Sequence, residues 1–389
     1  MENDLGILER FLTFNRSYLH KIRYSRRINW IFALHPEMRQ LYADALQQAE
    51  IGPEEENLAI SAVVNAYEET AFWKASKLFD CLREDIGLYI RQRGRRKIID
   101  RSDRKKKDYY SVAVIVKNEA RYLKEFILFY QATGAERIYL YDNGSTDNRM
   151  EVLEPFINSG FVVYRYWPGH TAQTAAYRDA VRRTRKRTTW LALIDADEFL
   201  FSPKGKMPEQ LRKFEAYPGV GANWVIFGPN GHVKKPEGLV MDAYTTTPAD
   251  YNNGINCHIK SVVQPSKVLT VFHPHYAIYR KGYAVGEDGA VLDNRTTRTF
   301  SREHHHDMFR INHYTTKSLE DLEEKCRRGY PDGSPNAVFE NQLKPFEAPL
   351  REDHAIKPYA DMVRQKWEED GVSCREKASL KRSGSKCAD

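Results

Sequence analysis

The fold of this chain is decided by residues 190–199, Trp190-Leu191-Ala192-Leu193-Ile194-Asp195-Ala196-Asp197-Glu198-Phe199. The apolar run that ends at Ile194 predicts a buried strand, and two carboxylates separated by one residue follow it. Because side chains alternate along an extended segment, Asp195 and Asp197 project to the same side. In open α/β sheets, ligands bind at the carboxyl ends of the strands. The stretch therefore predicts a ligand site at that edge of a sheet.

Two explanations of the acidic pair remain open at this point. Paired carboxylates are typical ligands of a hard divalent cation such as Mg2+ or Mn2+, and such an ion commonly accompanies a phosphate group. A strand ending in an acidic turn that caps the next helix would produce the same pattern. The motif alone favours neither explanation, so the choice depends on the rest of the chain.

Strands and helices alternate from residue 109 onward. The hydrophobic pattern predicts helices at 118–133 and 171–187, and strands at 111–116, 137–141, 161–166 and 190–194. Such alternation is typical of parallel strands joined by right-handed crossovers. Asp142 directly follows the second of these strands, so we expect it at the same carboxyl edge as the acidic pair. This convergence favours a ligand site over an acidic turn.

Changes in composition and hydrophobic pattern along the sequence predict three regions. Residues 1–105 look helical and end in a basic linker, 106–345 form the α/β domain, and 346–389 form a charged, frayed tail. Further strands are predicted at 223–227 and 261–263, and a further helix at 317–328. The linker holds ten Lys and Arg against two Asp over residues 91–107. This composition is typical of a solvated linker, although contact with a membrane surface, a partner or nucleic acid would use the same charges.

Composition limits the class of protein. The chain has 389 residues, 12% of them aromatic, which suits a sizeable core, and its formal net charge of +7 favours anionic partners. Its five cysteines are scattered without a CxxC pair, which indicates reduced thiols. No apolar run approaches the ~18 residues of a membrane span, and the first residues lack a signal-peptide pattern. We therefore expect a cytoplasmic protein with at most peripheral contact at the inner face of a membrane.

Four short segments within 111–330 carry a family resemblance. In chain order they are Val116-Lys117-Asn118-Glu119-Ala120, Tyr141-Asp142-Asn143-Gly144-Ser145-Thr146-Asp147, Asp195-Ala196-Asp197-Glu198-Phe199, and Ile311-Asn312-His313-Tyr314 with Lys317-Ser318. Together they resemble glycosyltransferases of the GT-A type, in particular the family 2-like group that includes family 92 (DUF23-type), with the third segment as the DxD element. The implied fold class is α/β, with a Rossmann-like, mostly parallel sheet. One departure is Asn143, since family 2 usually has two consecutive acids at this point, and this puts the fine donor preference in doubt.

The resemblance also implies a chemistry. It is a metal-dependent transfer of a sugar from a nucleotide-diphosphate donor, here a UDP-sugar, to a glycan or lipid-linked glycan in polysaccharide assembly, with inversion. A divalent ion, Mn2+ or Mg2+, would neutralise the leaving diphosphate as a Lewis acid. The implied metal ligands are Asp195, Asp197 and His313. The side chains implied to bind the donor are Lys117, Asn118, Glu119, Asp142, Asp195 and Lys317.

An inverting transfer needs a general base for the acceptor hydroxyl. The first candidate is Asp242, which follows an apolar run, and the second is His232, on a glycine-rich loop. Asp288 is more typical of a hairpin turn. Residues 304–307, with three consecutive histidines and an aspartate, would alternate faces in a strand and are expected on a surface or loop. Residues 327–328, both arginine, are also expected on the surface.

Two other functional classes compete with the transferase. A nucleotidyltransferase also combines a parallel sheet, carboxylates and Mg2+, but it typically has a glycine-rich phosphate loop after its first strand. Here no glycine follows that strand before Gly134. A nucleic-acid-binding protein or other anion-binding protein could use the basic tract at 91–107. That tract lacks interleaved aromatic residues, so we expect no nucleic-acid partner.

Overall fold

A computed structural model of the chain describes residues 70–95, 97–103, 105–170, 172–251, 254–292, 299–301, 303–329 and 339–369. The chain divides into two compact units, residues 1–76 with 293–297, and Lys77–Leu292 with Arg298–Asp389. Of the first unit, only residues 70–76 are described, and residues 71–76 belong to the first helix. The prediction of helices before residue 70 therefore lies outside the described residues.

The described helices include the three predicted ones, whose bounds differ from the predicted bounds by up to three residues. In chain order they are α1 (Ala71–Arg91), α2 (Ala120–Ala132), α3 (Arg149–Asn158), α4 (Gln173–Thr184), α5 (Met207–Leu211), α6 (Val240–Ala243), α7 (Leu319–Arg328), α8 (Phe339–Leu343) and α9 (357–369), with short 3-10 turns at Arg212–Phe214 and Lys344–Phe346. Within the described residues, no helix combines the length and the apolar character that crossing a bilayer requires.

The strands form one large sheet and two small ones. In chain order they are β1 (Ile98–Ile99), β2 (Asp108–Val116), β3 (Arg137–Asp142), β4 (Val162–Tyr166), β5 (Thr188–Asp195), β6 (Glu198–Phe201), β7 (Gly219–Ile226), β8 (Thr246–Pro248), β9 (Ile259–Val263), β10 (Val268–His273), β11 (Tyr276–Tyr279), β12 (Arg310–His313) and β13 (Leu350–Glu352). The large sheet has the order β1-β4-β3-β2-β5-β9-β7-β12-β6 among the described residues. The small sheets pair β10 with β11 and β13 with β8.

Apart from the edge strand β1, the first half of the large sheet is parallel, as predicted. Strands β4, β3, β2 and β5 are neighbours in parallel register, and their residues are almost all buried because helices cover both faces. The register pairs Ile115 with Asp195 and Val116 with Asp142. The two predicted acidic positions therefore end the two strands that flank β2, at one edge of the sheet, which confirms the α/β class and the predicted convergence.

The second half of the sheet is mixed, and its register explains how a distant histidine reaches the acidic pair. Strand β9 runs antiparallel to both β5 and β7, whereas β12 is parallel to β7 and antiparallel to β6. The β12–β6 register sets His313 opposite Glu198, and the Tyr314 backbone N–H donates to the Asp197 carbonyl at 2.9 Å. Sequence positions more than 100 apart are thus fixed side by side by backbone hydrogen bonds.

Residues 350–369 differ from the tail predicted to begin at residue 346. They form β13 and α9, and Ile356, Tyr359, Ala360 and Val363 are buried in the core of the second unit. The Tyr359 hydroxyl donates to the carbonyls of Ser202 and Gly205, at 3.1 and 2.9 Å. The segment is rich in charged residues, but the apolar residues of α9 lie on one face of the helix.

Part of the basic tract also belongs to the sheet. Strand β1 pairs antiparallel with β4, with Ile98 opposite Arg165. The Arg187 guanidinium donates to the Ser102 hydroxyl and to the Asp103 carbonyl, at 3.2 and 3.1 Å. This part of the tract is therefore an edge strand and a loop tied to the domain.

Candidate active site

A cavity of about 750 Å3 opens at the carboxyl edge of the sheet. It contains both residues of the acidic pair and His313, together with apolar walls that include Trp224. Its charged side chains are three cations and three carboxylates, Lys117, Lys325, Arg328, Glu119, Asp195 and Asp197. The other histidines that line it are His170, His273 and His275. A cavity of this size suits a nucleotide-sized ligand.

Asp197 and His313 face each other in this cavity. The Asp197 Oδ1 atom lies 3.6 Å from His313 Nε2, and Asp197 Oδ2 accepts a hydrogen bond from Lys325 Nζ at 2.8 Å. Burial alone would raise the pKa of Asp197, but the Lys325 ammonium and then His313 hold that pKa well below its usual value. Burial lowers the pKa of His313. The pair therefore presents an ionised carboxylate and a neutral imidazole, both suited to bind a cation.

The Asp195 carboxylate makes a different set of contacts. Its Oδ1 accepts hydrogen bonds from Gln173 Nε2 at 2.5 Å and from the Tyr177 hydroxyl at 2.8 Å. Its Oδ2 lies 3.0 Å from Lys260 Nζ, an ammonium group on a fully buried side chain. Both carboxylate oxygens are thus occupied by protein groups.

The predicted three-ligand metal set is therefore not assembled. Within the described part of the chain, no group of three His, Cys, Asp or Glu side chains is arranged to hold a metal ion. Asp197 and His313 come together, but the Lys260 pairing keeps Asp195 out of the set. The alternation rule correctly placed both carboxylates at one edge, but it could not show which of them is already neutralised.

Glu198 is fully buried next to Asp195. Its Oε2 accepts the Asp195 backbone N–H at 2.9 Å and lies 3.6 Å from Lys260 Nζ. Burial raises the pKa of Glu198 to about 8, against the opposing influence of Lys260. Buried Lys260 thus lies close to the side chains of both Asp195 and Glu198. Because its pKa is raised, Glu198 retains its proton near neutral pH.

We expect this proton to make folding stability fall as pH rises from 7 to 8. The folded-state pKa of Glu198 is about 8, whereas an unfolded glutamate titrates near 4.5, so the unfolded chain binds fewer protons and is favoured as pH rises. The expected loss over this interval is about 1 kcal/mol. Burial raises the pKa of Glu125 to about 7, so the contribution of its proton to folding stability is lost mainly below pH 7. Urea unfolding at pH 7.0, 7.5 and 8.0 measures the slope, and Glu198→Gln should flatten it. An equal slope in that variant would contradict the assignment.

Asp142 and Asn118 organise loops and do not point into the cavity. The buried Asp142 carboxylate accepts hydrogen bonds from the Ser145 N–H at 2.8 Å, the Arg149 guanidinium at 2.8 Å and the Tyr164 hydroxyl at 2.6 Å. Asn118 adopts a positive φ of 55°, and its side-chain oxygen accepts the Thr146 N–H at 2.8 Å. The predicted donor contacts of these two side chains are thus replaced by structural ones.

Glu119 and Lys117 do line the cavity, with a cluster of cations around Glu119. Glu119 Oε1 accepts a hydrogen bond from Arg328 at 2.8 Å, and its Oε2 lies 3.5 Å from Lys317 Nζ. Arg328 also donates to the Lys117 carbonyl. Lys317 itself is buried, with its ammonium 4.3 Å from the centre of the Tyr122 ring. Arg328, expected on the surface, is therefore part of the site, and Lys317 lies just behind it.

The two predicted general bases lie away from the cavity. Asp242 accepts a hydrogen bond from Arg364 at 2.6 Å on the outside of the domain. His232 Nε2 lies 3.1 Å from the Ala243 carbonyl, and its ring packs edge-on against Tyr244. Neither residue is among those that line the cavity. Position after an apolar run or on a glycine-rich loop was therefore not sufficient to identify a base.

The predictions for Asp288 and for residues 304–307 agree with the structure. Asp288 Oδ1 accepts the Ala290 N–H at 3.0 Å, as expected in a turn. His304 Nε2 lies 2.8 Å from the Trp224 carbonyl, so its role is structural.

Several site residues were missed by sequence reasoning. Trp224 forms one wall, with its ring centre 4.3 Å from that of His313, and burial holds the pKa of nearby His275 well below its usual value. Lys260 is the one charged residue in a fully buried strand, next to Ser261 and three apolar residues, a signal that could have been noticed. Lys325 and Arg328 lie three positions apart on α7, so they share a face.

Together these features define an α/β protein whose ligand site lies at the carboxyl edge of its sheet, with an ionised carboxylate and several cations in a nucleotide-sized cavity. Residues 109–360 match the model of glycosyltransferase family 92, and the chain belongs to that family. This confirms the resemblance found in the sequence and, with the observed sheet, an α/β fold of the GT-A type.

Proteins related in sequence carry the same family name. A glycosyltransferase family 92 protein of Oryza sativa subsp. japonica is 31% identical over 49% of this chain and 33% of its own length. One from Ricinus communis is 29% identical over 46% and 34%. The chain thus spans about a third of the length of these relatives. Among solved structures, it resembles mannosyltransferase PcManGT from Pyrobaculum calidifontis in complex with GDP-Man and Mn2+, with 11% identity, TM-score 0.32, and coverage of 74% of this chain and 80% of that chain. The likeness is distant.

Proposed function

We propose that the chain is a metal-dependent glycosyltransferase. It moves a sugar from a nucleotide-diphosphate donor, a UDP-sugar in the first instance, to a glycan or lipid-linked glycan acceptor, with inversion at the sugar carbon. Family membership supports the reaction class, and the choice of UDP, the acceptor and inversion rest on the family resemblance. The observation that carries the proposal is the pairing of ionised Asp197 with neutral His313 among cations in one cavity.

These residues fit a divalent cation. Two atoms bound to one ion at about 2.1 Å can lie up to roughly 4 Å apart, and Asp197 Oδ1 and His313 Nε2 are 3.6 Å apart. Asp197 and His313 would hold Mn2+ or Mg2+ from the protein side, with phosphate oxygens and water completing the shell. The ion would supply Lewis-acid stabilisation of the leaving diphosphate.

The charge of the cavity also favours this combination. Its lining contains three cationic and three anionic side chains, so their formal charges cancel. A bound divalent cation would make the cavity positive, and the two phosphates of a nucleotide-diphosphate donor would restore neutrality. Lys117 and Arg328 lie at the same cavity and would contact the phosphates, while Trp224 provides an apolar wall.

A donor panel tests this function. Purified protein is titrated calorimetrically with UDP-, GDP- and TDP-sugars in Mn2+, in Mg2+ and after EDTA, and the released products are identified. We expect one nucleotide class to bind in metal, with EDTA weakening binding, and a nucleoside diphosphate to be released on turnover. Release of sugar 1-phosphate, with transfer of the nucleoside monophosphate, would instead indicate the competing nucleotidyltransferase. If no donor binds in either metal, the proposal fails. Peripheral membrane contact and a cytoplasmic location stay predictions from the sequence.

A further inference from the structure

We propose that Lys325 is an exchangeable counter-ion of Asp197, which moves to the donor diphosphate when a divalent cation takes its place on the carboxylate. The proposal deepens the proposed function and rests on it. Its consequence is that metal and nucleotide bind cooperatively. The metal displaces the Lys325 ammonium from Asp197, and the diphosphate of the nucleotide gives that ammonium a new partner.

The starting point is two of the contacts that Lys325 makes. Its ammonium donates to Asp197 Oδ2 at 2.8 Å and to the Thr315 carbonyl at 2.9 Å. The two charged side chains are each 17% exposed, so the pair faces the cavity instead of being sealed in the core. Lys325 therefore neutralises the Asp197 carboxylate through Oδ2, next to the Oδ1 atom that faces His313 and would bind the proposed cation.

A divalent cation and an ammonium compete for this carboxylate. A cation bound to Asp197 and His313 would lie within a few ångströms of the Lys325 ammonium, and at that distance like charges repel strongly in a partly desolvated cavity. The lysine side chain has four rotatable bonds, and its helix position lets the ammonium swing into the cavity. Arg328, one turn further along α7, lies on the same cavity wall. A diphosphate there would accept hydrogen bonds from both cations.

Lys260 shows why this exchange is specific to Lys325. Lys260 is fully buried and lies between Asp195 and Glu198, at 3.0 and 3.6 Å from their oxygens. Two carboxylates and the lack of an open path hold it in place. The acidic pair thus has one fixed lysine, on Asp195, and one lysine at the cavity, on Asp197.

Linkage gives the proposal a measurable form. Without nucleotide, a cation must displace Lys325 and leave the ammonium without its carboxylate, so metal binding is weak. With a nucleoside diphosphate present, the displaced ammonium gains a phosphate partner. Metal must therefore strengthen nucleotide binding by the same factor as nucleotide strengthens metal binding. Part of this coupling comes from direct contact between metal and phosphate, and the remainder depends on Lys325.

The experiment measures Mn2+ affinity by electron paramagnetic resonance, with and without UDP, and UDP affinity by calorimetry in Mn2+. In Lys325→Met, we expect Mn2+ without UDP to bind about 5-fold or more tightly than in the parent, UDP in Mn2+ to bind about 10-fold more weakly, and the coupling factor to fall accordingly. Arg327→Met is the matched control, since Arg327 is an exposed cation on the same helix and does not line the cavity. Thermal unfolding of both variants checks that they are folded.

The outcomes separate this inference from the proposed function. Unchanged or weaker Mn2+ binding by Lys325→Met without UDP overturns the counter-ion role, and this arm needs no nucleotide. A variant whose UDP affinity and coupling factor equal those of the parent overturns the move to the diphosphate. If the parent protein binds no nucleotide in Mn2+, the proposed function fails first. If Arg327→Met behaves like Lys325→Met, the effect reflects net charge alone and the inference fails.

Discussion

Replacing Asp197 by Asn is expected to lower kcat/KM for sugar transfer about 100-fold or more. The substitution keeps the size of the side chain and one oxygen but removes the negative charge. In the parent, the charged carboxylate faces His313 and accepts a hydrogen bond from Lys325. Changes in the surroundings of metal ligands already cost about 10–100-fold in affinity or activity, so loss of a charged ligand should cost at least the upper value. The Lys325 ammonium would also lose its carboxylate partner.

The measurement compares initial rates and Mn2+ affinity of the parent and Asp197→Asn with the donor identified by the panel. Asp242→Asn is the matched control, because Asp242 is an ion-paired aspartate outside the cavity. We expect this control to retain parental kcat/KM. Turnover and Mn2+ binding of Asp197→Asn within 3-fold of the parent would exclude Asp197 as the metal ligand. Loss of activity in Asp242→Asn would restore that residue as a candidate base.

The second carboxylate should respond differently. Because both oxygens of Asp195 are engaged by Gln173, Tyr177 and Lys260, the structure assigns it to the framework of the site. The sequence contains no sign of this difference, since both residues of the acidic pair follow the same strand. What separates them is the identity of residues brought in by α4 and β9.

The fold was predictable to the extent that neighbouring residues determine it. Apolar runs placed β2, β3, β4 and β5 within a few residues, and the rule that parallel strands end at one edge correctly placed Asp142 beside the acidic pair. The second half of the sheet was less predictable. Antiparallel pairing of β9 with β5 and β7 depends on contacts between distant segments, which periodicity does not contain.

The site was predictable in its location but less so in its chemistry. A polar side chain at a strand end can face a cavity or satisfy its own loop, and Asp142 does the second with three protein donors. The same ambiguity affected residues 350–369, whose charges masked the buried face around Ile356 and Tyr359. The donors to Asp142 all lie within 22 positions of it, but nothing in the local pattern shows that they bind it. The partners of Tyr359 lie more than 150 positions away, and Lys325 is also distant in sequence from Asp197.

Replacing Lys260 by Met is expected to destabilise the folded protein by about 3–5 kcal/mol at pH 8. The Lys260 side chain is fully buried, and its ammonium lies 3.0 Å from Asp195 Oδ2 and 3.6 Å from Glu198 Oε2. Methionine fills most of the volume, so the cost is that of leaving fully buried Glu198 and partly buried Asp195 without a cation. Because burial keeps a proton on Glu198 up to a pKa of about 8, the cost should be smaller at pH 6.

Urea unfolding of Lys260→Met at pH 6 and pH 8 measures this cost, and the double variant Lys260→Met/Glu198→Gln provides the control. Removing the charge of Glu198 leaves Asp195 as the only uncompensated carboxylate of the group, so the double variant should recover part of the stability lost at pH 8. The interaction free energy between the two substitutions should then differ from zero at pH 8 and be larger there than at pH 6, as expected for residues in contact. A cost below about 1 kcal/mol for Lys260→Met at pH 8, or strictly additive effects, would mean that Lys260 is not the shared counter-ion of these carboxylates.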